Sequence, residues 1–460
     1  MYYLIFRKIL LVILAVLLLA GSAVSANSVI IHLDNLYGLD EPPDITAAAA
    51  VIVNMRSGVV LYEKNGSIPV YPASAVKVMT AILTVEHIEN PSNNISLDTP
   101  VIISRNVVLN TTELNVNVRE GEVFTVEDML NAALLHGAND ACLALAELIS
   151  GSVPAFVEKM NARARELGAH NTNFTNPTGL HNPEMVTTAL DMAKISFHAA
   201  NMPLIMDISS SPRYEIPSTN MTANPRTLLN RNHFVSRASQ TLHFFEGAKG
   251  LNSGATPEAG HILITVVGQP DNVEYLCVIM GATQTFSVAR DTNIPNSFSD
   301  ARRLLNWAFS IYSYRTVLRH RQPMKTLPVE LSANNNEVTL IAAEEVRLLL
   351  PQNMSIDNEI DKIITLNANP LTAPIEQGDI LGEIALVHRG ETVARANLLA
   401  ASSVERSNLL HILNQIRTTV TRPWFIASVI IFLIMCAVYI VISIMRINRR
   451  DRIRKRKRFR

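Results

Sequence analysis

Ser74 and Lys77 stand three residues apart in Tyr71-Pro72-Ala73-Ser74-Ala75-Val76-Lys77-Val78-Met79-Thr80-Ala81. On a helix that spacing puts a hydroxyl and an amine on one face. The amine can then take the hydroxyl proton, while a helix N-terminus favours the negative charge developing on oxygen. Serine is inert at neutral pH without such a partner, and lysine can serve only if burial or nearby positive charge lowers its pKa. A Ser-x-x-Lys arises by chance roughly once in a chain of this composition, so its setting carries the argument. Pro72 and Ala73 lead in, and Val78, Met79, Ile82, Leu83 and Val85 follow as an apolar run suited to a buried helix.

The elements that must hold this pair can be read along the chain. Ala47 to Val53 is an apolar run, Arg56-Ser57-Gly58 a turn, and Val59 to Tyr62 a return strand, so a hairpin is expected. A helix runs from Ser74 to about Ile88. Thr125 is a candidate N-cap for Val126 to Leu135, and further helices are expected over Ala138–Ile149, Ala155–Leu167 and Thr188–Ala200. Residues 245–281 return to strand character, and Ser299 to Tyr312 reads as an amphipathic helix. Strands, a helical block, strands and a helix predict a sheet covered by helices, with distant segments sharing it. Past Arg321, short extended runs between turns predict a small β-sandwich, followed by a polar stalk over 404–422.

A formal charge of zero conceals an asymmetry. Residues 446–460 hold ten Lys or Arg and one Asp, and residues 1–26 only Arg7 and Lys8, which leaves 28 cations against 39 acids between them. The body is acidic and one tail densely basic. Arg7 and Lys8 before the apolar run Ile9–Leu19, with Ala23-Val24-Ser25-Ala26 beyond, read as a signal peptide, though retention as an anchor remains an alternative. Trp424 to Met445 is uncharged and about 33 Å long as a helix, enough to span a bilayer once. The basic tail after it is expected in the cytoplasm, with the body outside. A nucleic-acid role for the tail is the weaker account; contact with anionic lipid is the stronger. Cys142 and Cys277 sit in buried-looking runs and would pair only if the fold brought them together; Cys436 lies in the span. No metal or organic cofactor is indicated.

The chain resembles the D-alanyl-D-alanine carboxypeptidases of the low-molecular-mass penicillin-binding proteins. The likeness covers roughly residues 45–405 and rests on Gly58-Val59-Val60-Leu61-Tyr62-Glu63-Lys64-Asn65, on Gly137-Ala138-Asn139-Asp140-Ala141, and on Thr172-Asn173-Phe174-Thr175-Asn176-Pro177-Thr178-Gly179-Leu180. Thr187-Thr188-Ala189-Leu190-Asp191-Met192-Ala193, and Ala373-Pro374 through Gly378 and Gly382, extend it. The resemblance implies an α/β (α+β) domain of β-lactamase/transpeptidase type, its antiparallel sheet covered by helices, plus a small all-β sandwich domain and the C-terminal transmembrane helix. The expected divisions are 1–26 signal, 27–318 peptidase domain, 319–403 β-rich domain, 404–422 stalk, 423–445 span and 446–460 tail. It places the protein in a bacterial cell membrane, its extracytoplasmic domain facing peptidoglycan stem peptides, with β-lactams as covalent inhibitors.

Taken over residue by residue, the resemblance makes Ser74 the nucleophile, Lys77 its base and Asn139 the holder of the substrate amide. Two family motifs are degenerate. Gly137 stands where the family has a serine hydroxyl; a water could fill in, or His136 shuttle the proton. Asn252-Ser253-Gly254-Ala255-Thr256 stands where the family has Lys-Thr-Gly and a second threonine. Ser253 keeps a hydroxyl and Gly254 and Thr256 keep the register, but Asn252 supplies no cation, and the odd spacing of Lys249 on the strand points it to the opposite face. Two readings follow: a serine-type carboxypeptidase, or a weakened family member that binds wall peptides as a scaffold or regulator. A β-lactamase is a distant third, since no deacylating glutamate stands at a matching place.

Overall fold

The computed structural model describes residues 31–32, 41–236, 243–269, 273–287, 292–334, 336–388 and 390–458. The expected signal sequence over 1–26 lies outside them. The chain divides into two compact units, 1–313 and 314–460.

In the first unit, β1 (Ile31–His32), β2 (Ala49–Asn54), β3 (Val59–Lys64), β6 (Ala248–Thr256), β7 (Gly260–Gly268) and β8 (Glu274–Ala282) form one six-stranded sheet, in the order β1–β3–β2–β8–β7–β6. Every pairing is antiparallel except the short β1–β3 contact. β2 is buried along its whole length, as an apolar run in the middle of a covered sheet should be. The N-terminal hairpin thus pairs with strands more than two hundred residues away, and β6 is left at the sheet edge.

The helices follow their caps. α1 (Val76–Glu89) buries residues all round, including Val76, Met79, Ile82 and Val85, and runs through the middle of the core. Thr125 caps α2 (Val126–Asn131) through a full capping box with Asp128. The expected continuation to Leu135 becomes a π-turn, Ala132–His136, which ends on Gly137 at φ 75°. That turn stops one helix and aims the next, α3 (Asn139–Ser150), into the cleft described below. α4 (Val153–Glu166), α5 (Ala189–Ala200, capped by Thr188) and α6 (Asn296–Ile311) complete the layers. Cys142 and Cys277 are buried and free, so the conditional pairing does not occur.

A hairpin, β4 (Arg213–Ile216) and β5 (Arg226–Leu229), is fastened to the loop before α2 through Glu122. Its buried carboxylate accepts hydrogen bonds from Thr219 Oγ1, Thr222 Oγ1 and Arg226 Nη2 at 2.5, 3.1 and 2.8 Å. Burial alone would raise its pKa; those donors and the Arg119 N–H outweigh it and hold the carboxyl below its ordinary value.

The second unit carries β9 (Pro323–Glu330), β10 (Glu337–Ala342), β11 (Asp361–Leu366), β12 (Leu371–Thr372), β13 (Ile380–His388) and β14 (Glu391–Ala400), in the order β11–β13–β14–β10–β9–β12. Val329, Val338, Leu371, Ile375 and Ala400 lie in its core. α7 (Asn408–Val420) and α8 (Pro423–Arg458) follow. Within α8, Pro423–Arg446 is long and apolar enough to cross a membrane, with mean hydropathy 3.0.

Glu122→Ala leaves Arg226 without its carboxylate and should cost about 3 kcal/mol, lowering the urea midpoint of the first unfolding step. Because the folded pKa is depressed, this contribution is present above the unfolded value and is lost as pH falls through the folded one.

Candidate active site

Ser74 lies in a tight 3₁₀ turn, Ala73–Ala75, just before α1. Ala73 is held at φ 43°, a strained conformation for a residue with a side chain, immediately before the hydroxyl. Ser74 is half-buried, and Lys77, one turn on, is 2 % exposed. Both line an open cleft of about 200 Å³ with Gly137, Asn139, Thr178, Gly254 and Thr256.

Lys77 Nζ donates to the Thr178 carbonyl, and Thr80 Oγ1, one turn further, donates to the Pro177 carbonyl at 2.8 Å. Those carbonyls are presented by a turn organised on Asn176, whose Oδ1 accepts from the Thr178 N–H, the Thr178 hydroxyl and the Gly179 N–H. Gly179 has φ 84°, and a Cβ there would lie 2.0 Å from the Ala73 carbonyl oxygen, so only glycine fits. The stretch Asn176-Pro177-Thr178-Gly179 is therefore the cradle of the amine. Burial lowers the Lys77 pKa; Cys142 and Glu113 draw it upward, and Arg231 pushes it further down.

Asn139 opens α3 and ties down the loop opposite. Its side-chain amide donates to the Thr112 carbonyl at 3.0 Å, and its backbone N–H to the Leu114 carbonyl at 2.7 Å. Asp140, also buried, accepts from the N–H groups of Val116 and Val118 at 2.9 and 3.4 Å. These bonds set Glu113 and Leu114 into the cleft wall.

Gly137 is more than a lost hydroxyl. A Cβ added there would meet Leu114 Cδ2 at 3.2 Å and Arg231 Cδ at 3.9 Å, on a backbone already in the left-handed region. A leucine and an arginine thus flank the position, and a serine side chain has to displace the first of them. His136 is half-buried, its pKa lowered by burial and by Arg231, and it does not line the cleft.

On the other wall, β6 comes so close that a Cβ on Gly254 would lie 2.4 Å from Ser74 Oγ. Gly254 and Thr256 line the cleft; Asn252 and Ser253 do not. Asn252 is buried and its Oδ1 has no hydrogen-bond partner among the described residues. Lys249 points away to an ion pair with Glu274 and brings no charge to the site. The cation that does line the cleft is Arg231, at the end of the β4–β5 hairpin, with its N–H bonded to the Leu135 carbonyl at 3.0 Å. Sequence reasoning passed over Arg231, Glu113 and the Asn176 turn as site residues. Arg231 and Glu113 have no local signal beyond polar composition in loops, whereas the Asn176 turn lies within the Thr172–Leu180 stretch that carries the resemblance.

A family model for D-alanyl-D-alanine carboxypeptidases matches residues 38–284. The chain belongs to that family. A second model, for the C-terminal domain of penicillin-binding protein 5, matches residues 312–406. The D-alanyl-D-alanine carboxypeptidase DacF of Bacillus subtilis is 28 % identical over 80 % of this chain and 88 % of its own. A D-alanyl-D-alanine endopeptidase of Pseudomonas aeruginosa is 30 % identical over 59 % of this chain and 79 % of its own. Among solved structures, penicillin-binding protein 5 of Haemophilus influenzae superposes with TM-score 0.58 at 26 % identity, over 80 % of this chain and all (100 %) of that one. The likeness to this hydrolase family thus runs through both units.

Two outcomes follow from the geometry. Gly254→Ala should slow acylation by a fluorescent penicillin at least about 100-fold and lower the unfolding midpoint, since the added methyl would lie 2.4 Å from Ser74 Oγ and 2.6 Å from its Cβ. With Lys77 as the expected base, the acylation rate should rise with pH and level off above the lowered pKa. Arg231→Gln removes a positive neighbour, makes the ammonium easier to keep, and should move that midpoint upward. An unchanged pH profile would separate Arg231 from the base.

Proposed function

We propose that this protein is a serine-type D-Ala-D-Ala carboxypeptidase working on peptidoglycan stem peptides through a Ser74 acyl-enzyme. The observation that carries the reading is the lysine amine buried in a carbonyl cradle, in the same cleft as a half-exposed serine. Ser74 Oγ gives its proton to Lys77 Nζ and attacks the carbonyl of the penultimate D-alanine. Backbone N–H groups of Ser74 and of β6 beside Gly254 hold the oxyanion. The C–N bond breaks, the departing D-alanine amine takes the proton from Lys77, and water then hydrolyses the ester. Asn139 and Thr256 bind the peptide from opposite walls, with Ser253 behind. Arg231 supplies the positive charge that Asn252 does not, both for the terminal carboxylate and for keeping Lys77 neutral.

The N-terminal leader over 1–26 exports the body, the segment 423–445 anchors it, and the arginine-rich tail over 446–460 stays in the cytoplasm. β-Lactams are expected to acylate Ser74. A second reading, a wall-peptide binder with weakened turnover, is favoured by the missing hydroxyl at Gly137, where Leu114 leaves little space for a replacement.

Full-length protein in detergent should form a covalent adduct with fluorescent penicillin and release D-alanine from an acyl-D-Ala-D-Ala peptide; Ser74→Ala should do neither. An adduct without D-alanine release favours the second reading. Absence of any adduct removes Ser74 as nucleophile.

A further inference from the structure

Two successive carbonyls of the turn over 176–179 dock onto two side chains of α1 that lie one helical turn apart. The Thr178 carbonyl accepts from Lys77 Nζ, and the Pro177 carbonyl accepts from Thr80 Oγ1 at 2.8 Å. Among the described residues, the Thr178 carbonyl is the one hydrogen-bond partner of the Lys77 amine. Gly137 has no hydroxyl to add a second, and the Oδ1 of Asn252 has no partner at all among those residues. A flexible four-carbon stem with a single polar anchor points where that anchor sits.

The anchor belongs to no helix or strand, so side chains must hold it. Asn176 Oδ1 accepts from the Thr178 N–H, the Thr178 hydroxyl and the Gly179 N–H at 3.1, 2.9 and 2.8 Å. Its Nδ2 donates to the Leu180 carbonyl at 3.0 Å, so one side chain ties the turn together on both sides of the Thr178 carbonyl. Thr80, fully buried, fixes the preceding carbonyl to the helix that carries Lys77. Neither Asn176 nor Thr80 lines the cleft.

We propose that Asn176 and Thr80 are positioning residues for acylation, Asn176 shaping the turn and Thr80 seating it on α1, so that together they set where the Lys77 amine points. The inference rests on the reading of Lys77 as the base. A neutral amine has two N–H bonds and one lone pair. An N–H engaged by a fixed carbonyl restricts the directions left to the lone pair, and the lone pair is what takes the Ser74 proton. Both residues act through one turn, so their effects overlap instead of multiplying.

Stopped-flow mixing of the full-length protein in detergent with a fluorescent penicillin separates the dissociation constant of the first complex from the acylation rate. Thr80→Val should slow acylation about tenfold and Asn176→Ala at least about 30-fold, the range for a catalytic group displaced by a fraction of an ångström. The dissociation constant should stay within about twofold, because the substituted side chains lie outside the cleft. Asn176→Ser, whose hydroxyl supports such turns more weakly, should fall between Asn176→Ala and the unchanged chain. Combined with Thr80→Val, it should slow acylation by less than the product of the two single effects. Near-ultraviolet circular dichroism checks that each variant is folded; Asn176→Ser and Thr80→Val carry the comparison should Asn176→Ala not fold. An unchanged acylation rate, a loss carried by the dissociation constant instead, or effects that multiply would each overturn the assignment. An unchanged chain that forms no Ser74-dependent adduct overturns the base reading and this assignment with it, whereas a normal adduct insensitive to either substitution overturns the assignment alone.

Discussion

A lysine amine kept away from water, with a backbone carbonyl as its partner, is the constraint around which the first unit is arranged. Burying a charged ammonium without a counter-ion is costly, so the position favours the neutral amine. Keeping it there takes a helix buried on all sides, α1, and a turn that presents carbonyls about a hundred residues further along the chain. Asn176 holds the turn, and Gly179 lets it pass the Ala73 carbonyl at a distance no side chain would allow. The strained Ala73 then delivers Ser74 to the surface of the cleft.

The two walls use different physics. One is a sheet edge: β6 has a neighbour on one side only among the described strands, and Gly254 brings its backbone against Ser74. The other is a loop with little secondary structure of its own, kept in shape by Asn139 and Asp140 at the start of α3 and, below it, by the Glu122 clamp on the β4–β5 hairpin. The degenerate motifs read differently in this setting. The missing hydroxyl at Gly137 leaves a position flanked by Leu114 and Arg231, and the missing lysine at 252 leaves a buried asparagine, while positive charge comes from the hairpin.

Much of the scaffold was legible in local pattern. The apolar run of β2, the Thr125 cap and the helices expected over Ala138–Ile149, Ala155–Leu167 and Thr188–Ala200 lie close to the elements observed, because burial and capping act within a few residues. The end of α2 was not legible. Ala132–His136 has ordinary helical composition, and its conversion to a π-turn is imposed by Gly137 and the packing around it. Lys249 lies away from the cleft, as its odd spacing from Asn252 implies, and Glu274 on β8 pairs with its amine.

Order along the chain alone determined that a serine and a lysine share a helical face, that an apolar helix carries them inward, and that an uncharged segment ends in a basic tail. Those features depend on neighbours three or four residues away, which a sequence displays directly. The tertiary structure decided which distant groups reach the cleft: the Thr178 carbonyl, the Gly254 backbone, and the opposed charges of Glu113 and Arg231. Coulomb and desolvation energies depend on distance through space, and only the folded chain sets those distances.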